Sequence, residues 1–336
     1  MRVVNVAELA QPGWRFMADE IDRPDIAWSF HSATPQNAIE RLIRRPRIAR
    51  YRAALVAAID ARQADVLISH MPIVSAVTAS AMRLAGAKAR HLAVSFNFTD
   101  LPAGRRLNYM RGALQGVDRF LVYSRAEQRL YPELFGLDPA RFDFLHWPME
   151  VPPSDGALPP CAGPYICAMG GEARDLATLA AAMRRLPHVP LVIVTRPGAI
   201  DANGLPSNVR LVHNLPLGAF WDVVRHARIS VVPLRNGETN CGHITLVGSM
   251  LLGRAIVATR SAGIADYVED GETARLCAPR DPDALAAAID EVWTDASLRE
   301  RLAERGRAFA TEMCDGRRMA DYVRRYLEAC DGAEAA

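Results

Sequence analysis

Short, nearly continuous apolar runs alternate along the chain with segments whose apolar residues recur every three to four positions. A short apolar run is typical of a strand buried on both faces, and the longer period indicates a helix. In the first half, strands are predicted at 64–70, 89–97 and 119–124, with helices at 75–84 and 105–114. In the second half, strands are predicted at 164–170, 189–195, 209–214, 229–234, 255–259 and 274–279, with helices at 176–186, 217–226, 245–252 and 283–293. This alternation predicts doubly wound, parallel α/β sheets.

The alternation occurs in two blocks, and a segment rich in Pro, Gly and Ser separates them. Such composition is typical of a linker, and 336 residues at about 150 per domain favour two domains. We expect a Rossmann-like domain at 1–150, a linker at 151–163 and a second domain at 164–315. The tail at 316–330 has apolar residues on one helical face and predicts a last helix. Because such sheets bind ligands at the carboxyl ends of their strands, we expect the active site in a cleft between two facing domains.

Composition and charge narrow the class of protein further. Half of the residues are hydrophobic and 23% are charged, which excludes a disordered or collagenous chain. A net charge of +2 offers no support for a nucleic-acid partner. The six cysteines show no C-x-x-C spacing, which argues against a zinc site or a disulfide framework. With no apolar run approaching about 18 residues, we expect a cytoplasmic protein.

The loop that follows the predicted strand at 229–234 has the chemistry of a phosphate site. It is polar, contains Gly242 and leads into a helix that starts near His243. An uncapped helix start presents free backbone N–H groups and the positive end of the helix dipole, which suit a phosphate. Gly242 permits close approach of the backbone, and His243 and Thr245 add side-chain donors. A strand, a glycine turn and a helix are more often only structural, so composition alone gives a weak signal.

The order of motifs in the second half is more specific than any one of them. After Glu238 come CGHITLVGSM (241–250), GRAIVAT (253–259), AGIADYVEDGETARL (262–276) and APRDPDALAAAI (278–289), and GPYICAMGGEARDLATLAAAMRRL (163–186) precedes them. This succession resembles the donor domain of GT-B glycosyltransferases of the family-4 type, also called glycosyl transferases group 1. The resemblance is good across about 164–312 and weaker, though consistent, over 64–147.

The resemblance implies a fold and an activity. The fold is GT-B, with two Rossmann-like domains facing across a cleft and the last helix returning to the first domain. The activity is retaining transfer of a hexose from a UDP- or GDP-sugar to an acceptor hydroxyl, in polysaccharide or glycoconjugate biosynthesis. The leaving phosphate oxygen takes the acceptor's proton, so neither a dedicated nucleophile nor a cofactor nor a metal is implied.

The resemblance also assigns donor-binding residues. Arg174, in the first loop of the second domain, matches a basic residue that holds the diphosphate, and a guanidinium fork suits two phosphate oxygens. The family's second cation is missing at 177–179, and Arg196 is the candidate substitute. The complete donor-binding set is Gly13, Gly170, Gly171, Arg174, Arg196, His213, Asn214, Leu215, Gly242, His243, Ile244 and Thr245. Within it, the backbone of 213–215 is expected beside the base.

Four residues are candidates for the reacting centre. Glu238 matches the first glutamate of the family's motif, where a carboxylate contacts sugar hydroxyls and stabilises an oxocarbenium-like centre. His70 and Asn97 each end a predicted strand, and Asp100 follows as a candidate acid or base. Alternative interpretations are a hydrogen-bonded structural histidine, an exposed loop glutamate and a turn-capping aspartate. Gly248 stands where the family has its second glutamate, which puts nucleotide affinity or activity itself in question.

The acceptor side carries a basic stretch. RLIRRPRIARYR, residues Arg41–Arg52, has six arginines in twelve positions, with apolar residues at helical spacing around them. One interpretation is peripheral contact with an anionic membrane, on the inner membrane face, or with a lipid-linked acceptor. The other is a solvated helix whose apolar side packs on its own sheet. A freely soluble glycan or small-molecule acceptor fits the second interpretation.

Two further functions remain open on the sequence. A GT-B sugar-nucleotide epimerase needs acid and base groups around the donor sugar and no acceptor. A non-catalytic GT-B homologue that acts as a partner or scaffold is supported by Gly248 and opposed by Arg174, Glu238 and Gly242.

Overall fold

The computed structural model describes residues 1–8, 14–43, 48–238 and 240–334, with side chains to 332. Gly13 therefore lies outside the described residues, as do positions 44–47 of the basic stretch. The strands are β1 (Arg2–Ala7), β2 (Ala27–Ser32), β3 (Val66–His70), β4 (Arg90–Val94), β5 (Arg119–Val122), β6 (Phe142–Phe144), β7 (Ile166–Met169), β8 (Leu191–Thr195), β9 (Val209–His213), β10 (Ile229–Val232), β11 (Ala255–Thr259) and β12 (Arg275–Cys277). The helices are α1 (Ala38–Leu42), α2 (Ala49–Asp60), α3 (Pro72–Ala85), α4 (Gly104–Leu114), α5 (Arg125–Phe135), α6 (Leu176–Met183), α7 (Leu217–His226), α8 (His243–Leu251), α9 (Pro282–Thr294), α10 (Ala296–Met313) and α11 (Gly316–Glu334).

The chain forms two compact units, one comprising residues 1–145 and 317–336 and the other residues 146–316. The N-terminal unit has one six-stranded sheet in the order β2-β1-β3-β4-β5-β6. Within the described residues its strand pairs are all parallel, from Val3 opposite Val66 in β1 and β3 to Phe120 opposite Phe142 in β5 and β6. The chain reverses its direction of winding between β1 and β3, which defines a switch point where such sheets bind ligands.

The C-terminal unit has the sheet order β12-β11-β10-β7-β8-β9, also with parallel pairs. In the numbering of this unit alone, that is the 3-2-1-4-5-6 order of dinucleotide-binding sheets. Winding reverses between β7 and β10, which are neighbours, with Ile166 opposite Ile229. The switch point of this unit therefore lies between the loops that follow β7 and β10.

The last helix packs on the N-terminal unit. Met319, Val323 and Leu327 of α11 are almost completely buried in a cluster that contains Val3 and Leu92 of that unit's strands. In addition, the Tyr322 hydroxyl donates a hydrogen bond of 2.8 Å to Asp143 Oδ2. Burial of an apolar helix face of this kind stabilises by about 1.5–3 kcal/mol per large side chain.

All nine strands predicted from apolar runs are confirmed, although every one except β11 is shorter than expected. Three strands, β1, β2 and β6, were not among the runs. The prediction that Asn97 ends a strand is wrong: β4 ends at Val94, and Ser95 with φ 50° turns the backbone out of the sheet. Among the described residues no helix is both long and apolar enough to cross a bilayer.

Candidate functional site

Backbone hydrogen bonds join the two loops at the switch point of the C-terminal unit. Arg174, after β7, forms an antiparallel bridge with Leu234, after β10. The Asp175 N–H donates to the Pro233 carbonyl at 2.9 Å, and the Arg235 N–H donates to the Ala173 carbonyl at 3.1 Å. These bonds fix the start of α6 against the end of β10, so the position of Arg174 is set by the backbone.

The Arg174 side chain is held by three acceptors. Its Nε donates to the Met169 carbonyl at 3.1 Å, Nη1 to the Glu172 carbonyl at 3.0 Å and Nη2 to Thr245 Oγ1 at 2.7 Å. A guanidinium has five N–H groups, so two remain for an oxygen ligand. Burial lowers the pKa of Arg174 from its usual value, yet an arginine stays charged at any physiological pH. The site therefore has a fixed, partly desolvated positive charge.

Two glycines let the backbone approach this charge. Gly170 has φ +87°, and a Cβ there would lie 3.6 Å from Arg174 Nη2. At Gly171 a Cβ would lie 2.8 Å from Thr195 Oγ1, which ends the neighbouring strand β8. The Thr195 hydroxyl is buried and has no hydrogen-bond partner among the described residues. The site thus contains a buried hydroxyl that has no partner in the part of the chain that the structure describes.

Helix α8 begins directly beside Arg174. Gly242 precedes its first turn with φ 105°, and no side chain caps it. A Cβ on Gly242 would lie 3.3 Å from Leu234 and 3.8 Å from Arg174 Nη1. The first three N–H groups of an α-helix have no intrahelical acceptor, which here are those of His243, Ile244 and Thr245. Together with the guanidinium, they form a site suited to a phosphate group.

The His243 side chain, which was expected to add a donor at the helix start, instead contacts the loop after β11. Its Nε2 lies 2.7 Å from the Gly263 carbonyl, and the ring packs 5.0 Å from that of Tyr267. Burial lowers the pKa of His243 to about 4, so the ring is neutral. The ring therefore ties α8 to the loop after β11, and only the His243 backbone N–H belongs to the helix start.

The remaining donor-binding predictions lie at the ends of β8 and β9. Arg196 Nη1 forms an ion pair of 2.5 Å with Glu172 Oε1, and both side chains are more than half exposed. His213 Nδ1 lies 2.9 Å from the Thr195 carbonyl, which joins the two strand ends. Asn214 follows with φ 54° and is exposed, and Leu215 is half-buried. Their contact with a base stays a prediction.

Glu238 and Asn240 lie on the loop between β10 and α8, in contrasting environments. Glu238 is exposed, and its backbone N–H donates to Asn236 Oδ1 at 3.0 Å. Asn240, by contrast, is only 4% exposed, and its Oδ1 has no partner among the described residues. The role of Glu238 beside a sugar stays a prediction, and Asn240 is a second candidate that the sequence did not reveal.

In the N-terminal unit, His70 ends β3 at the switch point. Its Nε2 lies 2.9 Å from Oδ1 of Asn5 on β1, and the rings of Trp14 and Phe16 meet it edge to face at 5.2 and 4.6 Å. Burial lowers the pKa of His70 to about 3. The imidazole is therefore neutral and hydrogen-bonded, which suits a donor or acceptor better than a cation.

Asn97 and Asp100 lie in the loop that follows β4, the strand next to β3. Asn97 is half-buried and Asp100 is exposed. The loop is anchored between them, since the Phe98 N–H donates to the Tyr131 hydroxyl at 3.2 Å. That hydroxyl in turn donates to Glu127 Oε1 at 2.8 Å, and Glu127 is fully buried. The catalytic roles of His70, Asn97 and Asp100 stay predictions.

Packing accounts for the glycine at position 248. A Cβ on Gly248 would lie 2.2 Å from Cη2 of Trp221 and 2.9 Å from Met149 Cε, both in the same unit. Trp221 is only 2% exposed. A glutamate therefore cannot occupy position 248 while Trp221 keeps its place.

Sequence reasoning missed three residues of this region. Thr195 had a usable signal, because it is a polar residue at the end of an apolar strand. Asn240 and Trp221 gave no signal in the sequence. The burial of Asn240 in its loop and the contact of Trp221 on α7 with α8 both depend on tertiary packing.

Parts of the chain, and its fold as a whole, are similar to known proteins. Residues 165–295 match the family model described as "Glycosyl transferases group 1". A lipopolysaccharide core biosynthesis glycosyltransferase, LpsE of Rhizobium meliloti, is 30% identical over 152 residues. That alignment covers 44% of this chain and 44% of LpsE, so less than half of the relative's length is matched.

The chain resembles group 1 glycosyltransferases, as its motifs predict. Among solved structures, HepE of Anabaena in complex with UDP has a TM-score of 0.75 at 15% identity, covering 98% of this chain and all of HepE. Sucrose-phosphate synthase of Thermosynechococcus elongatus has a TM-score of 0.70 at 17% identity, covering 99% of each chain. The predicted GT-B fold with two Rossmann-like units is confirmed.

Proposed function

We propose that this protein is a retaining hexosyltransferase that uses a nucleotide-diphosphate sugar. The observation that carries the proposal is the cluster at the switch point of the C-terminal unit, where Arg174, the Gly170–Gly171 turn and the start of α8 meet. A half-buried guanidinium beside the N–H groups of a helix start suits the diphosphate of the donor and the charge that grows on it as it leaves.

UDP is the preferred candidate for the donor nucleotide, with GDP as the alternative. HepE, whose fold the chain shares, has been crystallised with UDP and with UDP-glucose. Backbone groups at 213–215 would contact the base, and the Thr195 hydroxyl, which has no partner among the described residues, lies in the same site. Arg196 would add a second cation by leaving Glu172 for a phosphate oxygen. Gly13, which lies outside the described residues, stays a donor-binding prediction.

The reaction would proceed without a dedicated nucleophile. Arg174 and the N–H groups of α8 stabilise the departing diphosphate, and the acceptor hydroxyl attacks from the same face while a phosphate oxygen takes its proton. Glu238 and Asn240 are the carboxylate and amide available for sugar hydroxyls. His70, Asn97 and Asp100 are the polar groups that the N-terminal unit offers. Metal independence stays a prediction.

The acceptor is proposed to be a glycan or a lipid-linked sugar. LpsE carries the description of a lipopolysaccharide core glycosyltransferase, which makes a core oligosaccharide the first acceptor to test. The reaction would take place in the cytoplasm, at the inner membrane face where the acceptor is lipid-linked.

Turnover distinguishes this function from the two alternatives. The protein is incubated with UDP-glucose, UDP-galactose or GDP-mannose, with and without core oligosaccharide, and nucleotide and sugar are followed by NMR. Release of nucleoside diphosphate with an α-linked product supports the proposal. Conversion of the nucleotide-sugar to its epimer without release identifies an epimerase instead. Nucleotide binding with no turnover on any donor favours the non-catalytic homologue.

A further inference from the structure

The loop that follows β4 is packed against α5 on both sides of Asn97. The side chains of Phe96 and Phe98 are 0% and 5% exposed. Their rings meet the ring of Tyr131 on α5 nearly at right angles, with centroids 5.8 and 5.4 Å away. Tyr131 is itself fully buried. Aromatic packing therefore holds the two neighbours of Asn97, which is half-buried between them in the chain.

A hydrogen bond adds direction to this packing. β4 ends at Val94, and Ser95 with φ 50° turns the backbone away, so the buried Phe98 N–H lies beyond the sheet. Its acceptor is the Tyr131 hydroxyl, at 3.2 Å. A buried backbone N–H that loses its acceptor is costly. The backbone of the loop therefore depends on one side-chain hydroxyl.

Glu127 sets the direction of the Tyr131 hydroxyl. Its Oε1 accepts the hydroxyl proton at 2.8 Å, which leaves the lone pairs of the tyrosine oxygen for the Phe98 N–H. Its Oε2 accepts from the Tyr123 N–H at 3.1 Å and from Ser124 Oγ at 3.0 Å. Both carboxyl oxygens are thus bonded, and the path from Glu127 through Tyr131 to the loop is fixed at its buried end.

Capping of α5 uses only one of the two oxygens of Glu127. Ser124 Oγ accepts from the Glu127 N–H at 3.1 Å, and Oε2 contacts the same hydroxyl, as in a capping box. Oε1 takes no part in this cap. Its bond to Tyr131 joins the start of α5 to the loop after β4, so Glu127 has a second role in that loop.

The loop leaves the sheet beside His70. β3 and β4 are neighbours, and Val94 at the end of β4 pairs with His70 at the end of β3. Asn97 and Asp100 follow in the loop, so their place relative to His70 is set by the path of its backbone.

We propose that Glu127 and Tyr131 position the loop 95–100 for the acceptor of the sugar, an inference that rests on the proposed function. Both side chains are fully buried, so neither touches a substrate. They act through the backbone of the loop, which carries Asn97 and Asp100. The proposed donor site belongs to the C-terminal unit, so nucleotide binding does not depend on this pair.

Tyr131→Phe tests the proposal, because it removes the hydroxyl and keeps the ring. The matched control is Tyr165→Phe, at a fully buried tyrosine whose hydroxyl donates to the Val223 carbonyl of the C-terminal unit at 2.7 Å. Each variant loses one buried hydrogen bond, so urea unfolding should show similar losses of stability. Three readouts follow: exchange of the Phe98 amide by NMR, UDP affinity by calorimetry, and transfer to core oligosaccharide at varied oligosaccharide concentration.

We expect Tyr131→Phe to speed exchange of the Phe98 amide and to lower kcat/KM for the oligosaccharide about tenfold, with UDP affinity unchanged. Tyr165→Phe should match the wild type in all three readouts. Glu127→Gln, which keeps the size of the side chain but leaves a single acceptor oxygen, should also lower kcat/KM. Because both residues act along one path, the double variant should be no slower than the slower single variant.

Equal kcat/KM in the wild type and Tyr131→Phe overturns this proposal alone, since the wild type still transfers sugar. A parallel loss of UDP affinity also overturns it, because the damage would then reach both units. Additive losses in the double variant contradict a shared path through Tyr131. A wild type that binds no nucleotide and transfers no sugar removes the proposed function, and the positioning role with it.

Discussion

Arg174 depends on the residues that orient it. Thr245 accepts from Arg174 Nη2 and donates to the Gly242 carbonyl, so one hydroxyl joins the guanidinium to the start of α8. Without that hydroxyl the guanidinium would keep its charge and its bonds to the Met169 and Glu172 carbonyls, but it would lose the bond that directs Nη2 toward the helix N-terminus.

Thr245→Val is expected to weaken UDP binding about fivefold, since a hydrogen bond is worth about 1 kcal/mol and the volume of the side chain is kept. Isothermal calorimetry measures the change. Thr294→Val, which removes an exposed hydroxyl from α9, serves as the control and should leave affinity unchanged. Equal affinity in all three proteins would mean that Thr245 does not position Arg174 for a ligand.

Four buried titratable groups predict how stability depends on pH. Burial lowers the pKa of His70 to about 3 and those of His91 and His243 to about 4, below the ordinary 6.5. Burial raises the pKa of Glu127 from 4.5 to about 7. Between about pH 6.5 and 4.5 the unfolded chain thus binds more protons at each histidine, and the folded chain binds more at Glu127.

In that pH window the extra protons that two histidines of the N-terminal unit bind on unfolding are partly offset by the one proton that Glu127 loses. The C-terminal unit has one such histidine, His243, and no opposing glutamate. Each unit should therefore lose about 1.4 kcal/mol of unfolding free energy per pH unit as the pH falls. Urea unfolding at pH 7.5, 6.5, 5.5 and 4.5 measures this slope. A free energy that stays level or rises on acidification contradicts the described burial of these rings.

At the scale of elements, the packing of Trp221 of α7 against α8 requires a glycine at position 248. Gly248→Ala places a Cβ 2.2 Å from the Trp221 ring, so the two helices must separate or the ring must move. We expect a loss of about 1–3 kcal/mol in the free energy of unfolding, the usual cost of overpacking a core.

The matched control is Gly112→Ala on α4, where a Cβ meets nothing within 4 Å. That change should raise the unfolding free energy by about 0.5–1 kcal/mol, the helix preference for alanine over glycine. A stabilising Gly248→Ala would show that Trp221 does not fill the space beside α8.

An element or residue can be predicted when its signal lies in the local sequence pattern, and not when its burial depends on tertiary packing. Seven of the nine predicted strands are buried along nearly their whole length. The edge strands β9 and β12 are half-exposed, yet their apolar residues still form a run. In the edge strands β2 and β6, by contrast, polar residues interrupt the pattern. Likewise Arg174 and Gly242 follow from motif order along the chain. Thr195 and Asn240 do not, because their side-chain oxygens become buried only when the strand ends and loops pack together, and neither oxygen then has a partner among the described residues.

At the scale of the whole molecule, each unit places polar groups at the switch point of its own sheet. In the N-terminal unit these are His70 and Asn5, and in the C-terminal unit they surround Arg174. A parallel sheet directs the backbone dipoles and loop ends to that edge, so the topology itself selects where a ligand binds. The proposed sugar transfer therefore requires that the cluster around Arg174 hold a nucleoside diphosphate.

The most direct measurement is calorimetric titration of UDP and GDP into the wild type, Arg174→Ala and Arg301→Ala. Arg301 is an exposed arginine on α10 and controls for the loss of one positive charge. We predict that one nucleotide binds the wild type and Arg301→Ala equally, and binds Arg174→Ala at least about tenfold more weakly. Failure of both nucleotides to bind the wild type, or equal binding to Arg174→Ala, would contradict the assignment of the donor site.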